Sequence, residues 1–221
     1  MFRHVRCVLF DLDGTLIDSA LDLGLAADEM RVARGLPSLP AAAYRASAGS
    51  GARGMLAVAF GLSPQHDAFN ALREEFLDRY EQRITRLTRL FEDVEQLLST
   101  LNQRGVAWGV VTNKHRRFTL PLTTTIPIFG SAGAIVCGDT TPHSKPHPGP
   151  LLEAMRQLCV QARDCLYVGD DVRDMQAGRA AGVATVAASY GYLGPDADIA
   201  RWPADAVIDR PAELLKLIDL A

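Results

Sequence analysis

Lysine is scarce in this chain. Of 23 basic residues only Lys114, Lys145 and Lys216 are lysines, and none falls between residues 17 and 89. No basic cluster stands out either: the net charge is −3, the sequence pI is near 5.9, and the arginines are spread along the chain. A nucleic-acid interface or an anionic membrane surface needs a concentrated positive patch, so neither is expected as a partner. Apolar runs are short. Val5 to Phe10 is followed at once by acidic residues, too brief for a signal-peptide core, and no stretch approaches the length of a membrane span. Cysteine is sparse: Cys7, Cys137, Cys159 and Cys165 include no C-x-x-C pair, and three sit in apolar runs. They read as buried, reduced thiols, and the expectation is a cytoplasmic protein with no membrane partner. His4, His66, His115, His143 and His147 share no metal-ligand spacing and read as structural or surface residues.

What the chain does have is an ordinary globular composition. Its 221 residues are 48% hydrophobic and 22% charged, enough for one large core or a core plus a smaller insert. Val5 to Phe10 reads as a buried strand ending in Asp11, broken by Gly14 and Thr15. Ser19 is placed to cap a helix that carries Asp22 in its first turn and stops at Gly35. Residues 36–89 hold almost no strand signal. Pro40 opens one helix, Gly49-Ser50-Gly51 interrupts, Arg53 to Phe60 forms another, and Ser63-Pro64 starts a long amphipathic helix through Phe69, Phe76, Tyr80 and Ile84. From Phe91 the rhythm becomes alternating helix and strand. Strands are expected at 106–111, 134–137, 165–168, 183–187 and 206–208. A helix after Lys114 should be interrupted by Pro121, Thr123 to Thr125 and Pro127. Apolar strands alternating with helices imply an α/β, Rossmann-like, doubly wound parallel sheet. The expected division is a core of residues 1–16 and 90–221 with an inserted helical cap at 17–89.

Four short patterns lie at predicted strand ends or beside them, where ligands gather in such sheets. In Asp11-Leu12-Asp13-Gly14-Thr15 two carboxylates two residues apart face one side of an extended segment. Their repulsion favours a bound cation or a shared proton, and for an oxygen-only donor set with no flanking histidine the natural partner is a hard ion such as Mg²⁺. Val110-Val111-Thr112-Asn113 supplies a hydroxyl and an amide. Ser144-Lys145-Pro146 supplies a compact positive charge in a Pro-rich loop, and Tyr167-Val168-Gly169-Asp170-Asp171, followed by Asp174, adds further carboxylates. Each alone has a bland reading: a strand-terminal Asp as a turn or helix cap, Lys145 as a solvated surface residue. A cluster of Asp11, Asp13 and Asp170 around one cation, balanced by Lys145, is electrostatically coherent.

In these motifs the chain resembles the haloacid dehalogenase-like hydrolases along essentially its whole length. Within them it looks like the phosphoglycolate phosphatases and N-acetylmuramic acid 6-phosphate phosphatases. The residues that carry the likeness are Phe10 to Leu16, Val111-Thr112-Asn113-Lys114, Ser144-Lys145-Pro146 and Val168-Gly169-Asp170-Asp171. The resemblance implies a phosphatase using Mg²⁺, with Asp11 as nucleophile and Asp13 as acid/base. It implies metal contacts from the Asp11 carboxylate, the Asp13 backbone carbonyl and the Asp170 carboxylate. Thr112 and Lys145 would hold phosphoryl oxygens, with Gly14 and Asn113 beside the substrate. Asp174 would orient Lys145 or metal-bound water, and Asp171 shares either role.

In the cap, Ala48-Gly49-Ser50-Gly51-Ala52-Arg53-Gly54 combines close backbone approach with a guanidinium suited to a substrate carboxylate; Arg45 is a weaker candidate, and an exposed Arg in a flexible turn is the bland reading. The expected partner is a small phosphate ester carrying a carboxylate, 2-phosphoglycolate or N-acetylmuramate 6-phosphate, handled by a monomer or homodimer. Leu16-Ile17 and Leu87 to Leu90 are the expected hinges. Among rivals, a dehalogenase has no use for the second carboxylate at 13, and a phosphonoacetaldehyde hydrolase needs a cap lysine that residues 17–89 lack. A sugar phosphomutase and a phospho-accepting switch without turnover remain as alternatives.

Overall fold

The structure, a computed structural model, describes residues 1–194 and 196–219. In chain order the elements are β1 (Cys7–Phe10), β2 (Ile17–Asp18), α1 (Ala20–Val32), α2 (Ala42–Arg45), α3 (Gly51–Phe60), α4 (Phe69–Glu81) and β3 (Arg89–Leu90). There follow α5 (Val94–Gln103), β4 (Ala107–Val111), α6 (Arg116–Thr125), β5 (Ala134–Val136), α7 (Gly149–Leu158) and β6 (Cys165–Gly169). The chain continues through α8 (Val172–Ala180), β7 (Ala184–Ala188), β8 (Ala206–Ile208) and α9 (Leu214–Leu217).

Six strands form one parallel sheet in the order β5-β4-β1-β6-β7-β8. The strands are apolar on both faces, as burial between helix layers requires. Val8, Phe10 and Val110 join one core and Cys7, Leu9 and Val111 the other. The first of these cores runs on without a break into Met30, Tyr44, Met55 and Phe76 of α1 to α4, so the helical insert packs as an extension of the sheet's own interior. β1 lies between β4 and β6, with Phe10 beside Val110 and Val168. The connections run outward in opposite directions from this point, which leaves a crevice at the carboxyl ends of the central strands. A second, two-stranded antiparallel sheet pairs Ile17 with Leu90 and Asp18 with Arg89. Both ends of the insert therefore pass through one small sheet, at the segments expected to be hinges.

Local expectations needed correction at three points. The long helix of the insert begins at Phe69, because successive turns (His66 N to Ser63 O, Phe69 N to His66 O) occupy the stretch after Pro64; it ends at Glu81, before Ile84. Pro121 does not interrupt α6, which runs unbroken from Arg116 to Thr125 with Pro121 inside, while the Thr123 hydroxyl donates back to the Thr119 carbonyl. Ser19 precedes α1 but makes no capping bond; its hydroxyl is used elsewhere, as described below.

Asp28 on α1 fastens the loop leading to α2, accepting from Ser38 Oγ at 2.6 Å, Leu39 N at 2.8 Å and the Tyr44 hydroxyl at 3.1 Å. Burial pushes its pKa up, but the Leu39 amide and the two hydroxyls outweigh it, and the value is lowered overall. A lowered carboxylate stabilises the fold above its unfolded value, and that contribution is lost as pH falls through the folded value. Asp28→Ala is expected to cost about 2–3 kcal/mol at neutral pH, the worth of hydrogen bonds to a charged group. Thermal melts should show the deficit shrinking as the pH is brought below about 4.

Candidate active site

Asp11, Thr112 and Asp170 directly follow β1, β4 and β6, so register alone brings them to one end of the sheet. Carboxylate oxygens of Asp11, Asp170 and Asp174 all lie within 4.8 Å of one another. Asp170 is held from both sides, by the Thr15 hydroxyl at 3.3 Å and the Tyr192 amide at 2.7 Å. Gly14 makes room for it: its φ is +83°, and a Cβ there would sit 2.0 Å from Asp170 Oδ2. The Gly14 amide donates to Ile17 O at 2.9 Å, within the turn.

Lys145 is buried with its ammonium among four oxygens: Asp174 Oδ1 at 2.7 Å, Tyr167 Oη at 2.8 Å, and Asp11 Oδ1 and Val111 O at 2.9 Å. Its backbone is clamped by Asn113, whose side-chain oxygen accepts from Lys145 N and whose amide donates to Lys145 O, both at 2.9 Å. The Asn113 side chain thus fixes the lysine loop where that loop meets the cavity Asn113 lines. Asp174 and Asp171 separate here. Asp174 is buried against Lys145 and Tyr167, and it accepts from the Asp171 amide at 3.1 Å. Asp171 caps α8, accepting from Arg173 N at 2.9 Å, and pairs with the Arg173 guanidinium at 2.7 Å.

Two buried carboxylates and the half-buried Asp11, beside one lysine, set the electrostatics. Burial, only partly offset by Lys145, pushes Asp11 up to about 6. Burial followed by the charges of Asp11 and Asp174 drives Asp170 well above the usual carboxylate range. Burial draws the Lys145 ammonium down, but Asp11 and Asp174 outweigh it and raise its pKa. Excess negative charge on oxygen-only donors is what a hard divalent cation relieves, so the residues fit such an ion.

The Asp13 side chain lines the same cavity but is not one of the three clustered carboxylates. It accepts from the Ser19 hydroxyl and from Lys114 Nζ, at 3.0 Å to Oδ1 and 3.1 Å to Oδ2. Lys114 Nζ also donates to the Tyr80 hydroxyl on α4 at 2.8 Å. Lys114 was legible only as part of a motif. Its link to Asp13 spans 101 residues and has no sequence signal beyond the scarcity of lysine. The sequence marks Ser19 as a helix cap, Tyr80 as part of an amphipathic helix and Tyr167 as the strand before Asp170, and gives no site role to any of them or to Arg173 and Tyr192.

A cavity of about 250 Å³ is lined by Asp11, Asp13, Thr112, Lys145, Asp170 and Asp174, with Ala48 to Gly51 of the insert forming its roof. A second cavity of about 650 Å³, lined among others by Arg53, Phe69, Phe76 and Phe118, shares Leu23, Ser50, Gly51, Asn113, Lys114 and Arg173 with the first. The two are adjoining chambers. Arg45, in contrast, is paired with Asp18 at 2.7 Å and lines neither.

Residues 8–188 match the haloacid dehalogenase-like hydrolase family. An N-acetylmuramic acid 6-phosphate phosphatase of Pseudomonas aeruginosa is 42% identical over 218 residues, covering 99% of this chain and 96% of that one. A phosphoglycolate phosphatase of Xanthomonas campestris pv. campestris is 43% identical over 212 residues, covering 96% of each. Among solved structures, that of a predicted phosphoglycolate phosphatase from Haemophilus somnus superposes with a TM-score of 0.84 at 28% identity, covering 97% of this chain and 98% of that one.

Proposed function

The chain belongs to the haloacid dehalogenase-like hydrolases and is a phosphatase, and from that membership we propose that it hydrolyses a carboxylate-bearing phosphate monoester through a phosphoryl group carried on Asp11. The observation that carries this reading is the inner chamber, where Asp11, Thr112, Lys145 and Asp170 converge. Asp11 attacks phosphorus as the ester P–O bond breaks, and Asp13 gives its proton to the departing alcohol oxygen. Water then attacks the phosphorus of the aspartyl-phosphate, Asp13 takes the water's proton, and inorganic phosphate leaves. Lys145 and the Thr112 hydroxyl hold the non-bridging oxygens. Asp11, Asp170 and the Asp13 backbone carbonyl would hold Mg²⁺, with Asp174 beside them; when bound, the ion neutralises charge on the transferring group. Residues 17–89 serve as a cap that reads the leaving group, hinged at β2 and β3.

The volume of the outer chamber favours a leaving group of sugar size, and its free cation a carboxylate. The outer chamber, about 650 Å³, far exceeds the needs of a glycolate. Its cations are nearly all spent: Arg73 pairs with Glu74, Lys114 with Asp13, Arg117 with Asp78 and Glu81, and Arg173 with Asp171. Among the described residues, Arg53 is the lining arginine or lysine that faces no carboxylate within ion-pair distance. It is therefore the group assigned to the substrate carboxylate, and N-acetylmuramate 6-phosphate is the preferred substrate. No helix among the described residues is long and apolar enough to cross a membrane. A cytoplasmic sugar phosphatase is consistent with that.

The test is kcat/KM for N-acetylmuramate 6-phosphate and 2-phosphoglycolate side by side, with Mg²⁺ and with EDTA. Metal-dependent preference for the sugar is expected; preference for phosphoglycolate overturns the substrate, and undiminished activity in EDTA overturns the metal. Arg53→Ala should lower kcat/KM for the carboxylate-bearing substrate about ten- to a hundredfold, as loss of a charge-assisted hydrogen bond does. Hydrolysis of p-nitrophenyl phosphate by the same variant should stay close to that of the parent.

A further inference from the structure

We propose that Lys114 is a positioning residue for proton donation by Asp13, and that its bond to Tyr80 makes that donation depend on the seating of α4; the inference rests on the acid/base reading of Asp13.

Lys114 has three N–H donors and the structure accounts for all of them: Asp13 Oδ1 at 3.0 Å, Asp13 Oδ2 at 3.1 Å and the Tyr80 hydroxyl at 2.8 Å. The side chain is 9% exposed, so water does not compete strongly for those donors. It also sits in the wall shared by the two chambers, where the alcohol oxygen of an ester must pass. As Asp13 gives up its proton it becomes a carboxylate. An ammonium already placed against both oxygens stabilises that developing charge without having to reorganise. The Ser19 hydroxyl, donating to Asp13 Oδ1, fixes the rotation of the same carboxyl.

The third donor reaches out of the sheet region altogether. Tyr80 lies on α4, its ring 5.6 Å from Phe118 of α6 and 4.7 Å from Lys114 Nζ. On either side of Tyr80 in the same helix, Asp78 at 2.9 Å and Glu81 at 2.6 Å are clasped by Arg117 of α6. When α4 lies against α6, Lys114 is held between Tyr80 and Asp13. When α4 moves off, the ammonium loses one of its three acceptors and with it a fixed direction.

The experiment compares kcat/KM for an alkyl ester, N-acetylmuramate 6-phosphate, with that for p-nitrophenyl phosphate, whose leaving group needs no proton. kcat/KM reports the steps up to release of the alcohol, so a defect in proton donation appears on the alkyl ester alone. Lys114→Met should lose about ten- to a hundredfold on the alkyl ester and little on the aryl ester, the size expected for one charge-assisted contact. Tyr80→Phe, which keeps the ring and its packing, should show the same selectivity with a smaller loss. In an Asp13→Ala background neither change should add a selective loss. Equal losses on both esters from Lys114→Met overturn the positioning role, and a Tyr80→Phe enzyme with unaltered selectivity overturns the tie to α4. If Asp13→Ala itself shows no leaving-group selectivity, the acid/base reading falls, which is a different outcome from either.

Discussion

Asp11→Asn is expected to abolish turnover, by a factor on the order of 10⁵ or more, while leaving the protein folded. The amide is nearly isosteric but cannot form the acyl-phosphate bond, so nothing in the site replaces the nucleophile. The fold should not suffer. Asp11 is held up at about 6 because burial and the neighbouring Asp174 oppose its charge more than Lys145 supports it. An acid with a raised folded pKa contributes stability that is present below its unfolded value and lost as pH rises through the folded one, here between about 4 and 6. At neutral pH the parent therefore bears the cost of an ionised Asp11, and asparagine removes it. Lys145 keeps Asp174, Val111 O and the Tyr167 hydroxyl. The metal-free variant should melt at or above the parent's temperature at neutral pH, and the difference should vanish by about pH 4.

Lys145→Met carries the second large effect, and it strikes stability as well as rate. The ammonium is the one cation in contact with Asp11 and Asp174 among the described residues. Removing it leaves buried carboxylates unpaired, at a cost of about 3–5 kcal/mol. Because Lys145 is what offsets the burial of Asp11, losing it raises that carboxyl further, and the deficit must be greatest at neutral pH and smallest in acid. Added Mg²⁺ should recover part of the lost melting temperature by screening the same charges. Activity should fall by on the order of 10³, the cost of losing a preorganised donor to the transferring group. Denaturant or thermal melts across pH, with and without Mg²⁺, check the first claim; steady-state rates of the folded variant check the second.

The parts that were legible in the sequence are those fixed by local patterns. Apolar runs of strand length ending in Asp11, Thr112 and Asp170 located the sheet and its carboxyl ends, since a parallel strand buried on both faces must be apolar throughout. The lone Lys145 between strands was legible because so few lysines compete for the role. Boundaries were less so. Amphipathicity showed that a helix carries Phe69, Phe76 and Tyr80 but not where it starts, and a Ser-Pro pair that resembles a helix start opens a series of turns. Ser19 illustrates a different failure. A serine before a helix suits a cap, in which its oxygen accepts from a helix amide, yet this side chain makes no such bond and its hydroxyl donates to Asp13. Asn113, which the family resemblance sets beside the substrate, lines the inner chamber, while its clamp on the backbone of Lys145, 32 residues on, has no local signal. The Lys114–Asp13 and Lys114–Tyr80 contacts join residues whose proximity depends on the helical insert folding back over the sheet. No periodicity encodes that.

The most direct measurement is acid quenching of a single turnover with Asp13→Ala enzyme, Mg²⁺ and p-nitrophenyl phosphate, followed by mass analysis of the peptide that contains Asp11. An aryl ester forms the intermediate without a proton donor, and loss of the Asp13 base slows its hydrolysis, so phosphoryl mass should accumulate on Asp11 and be absent when Asp11 is asparagine. Release of nitrophenol and phosphate together, with no phosphoryl group on that peptide at any time, would contradict a covalent route through Asp11.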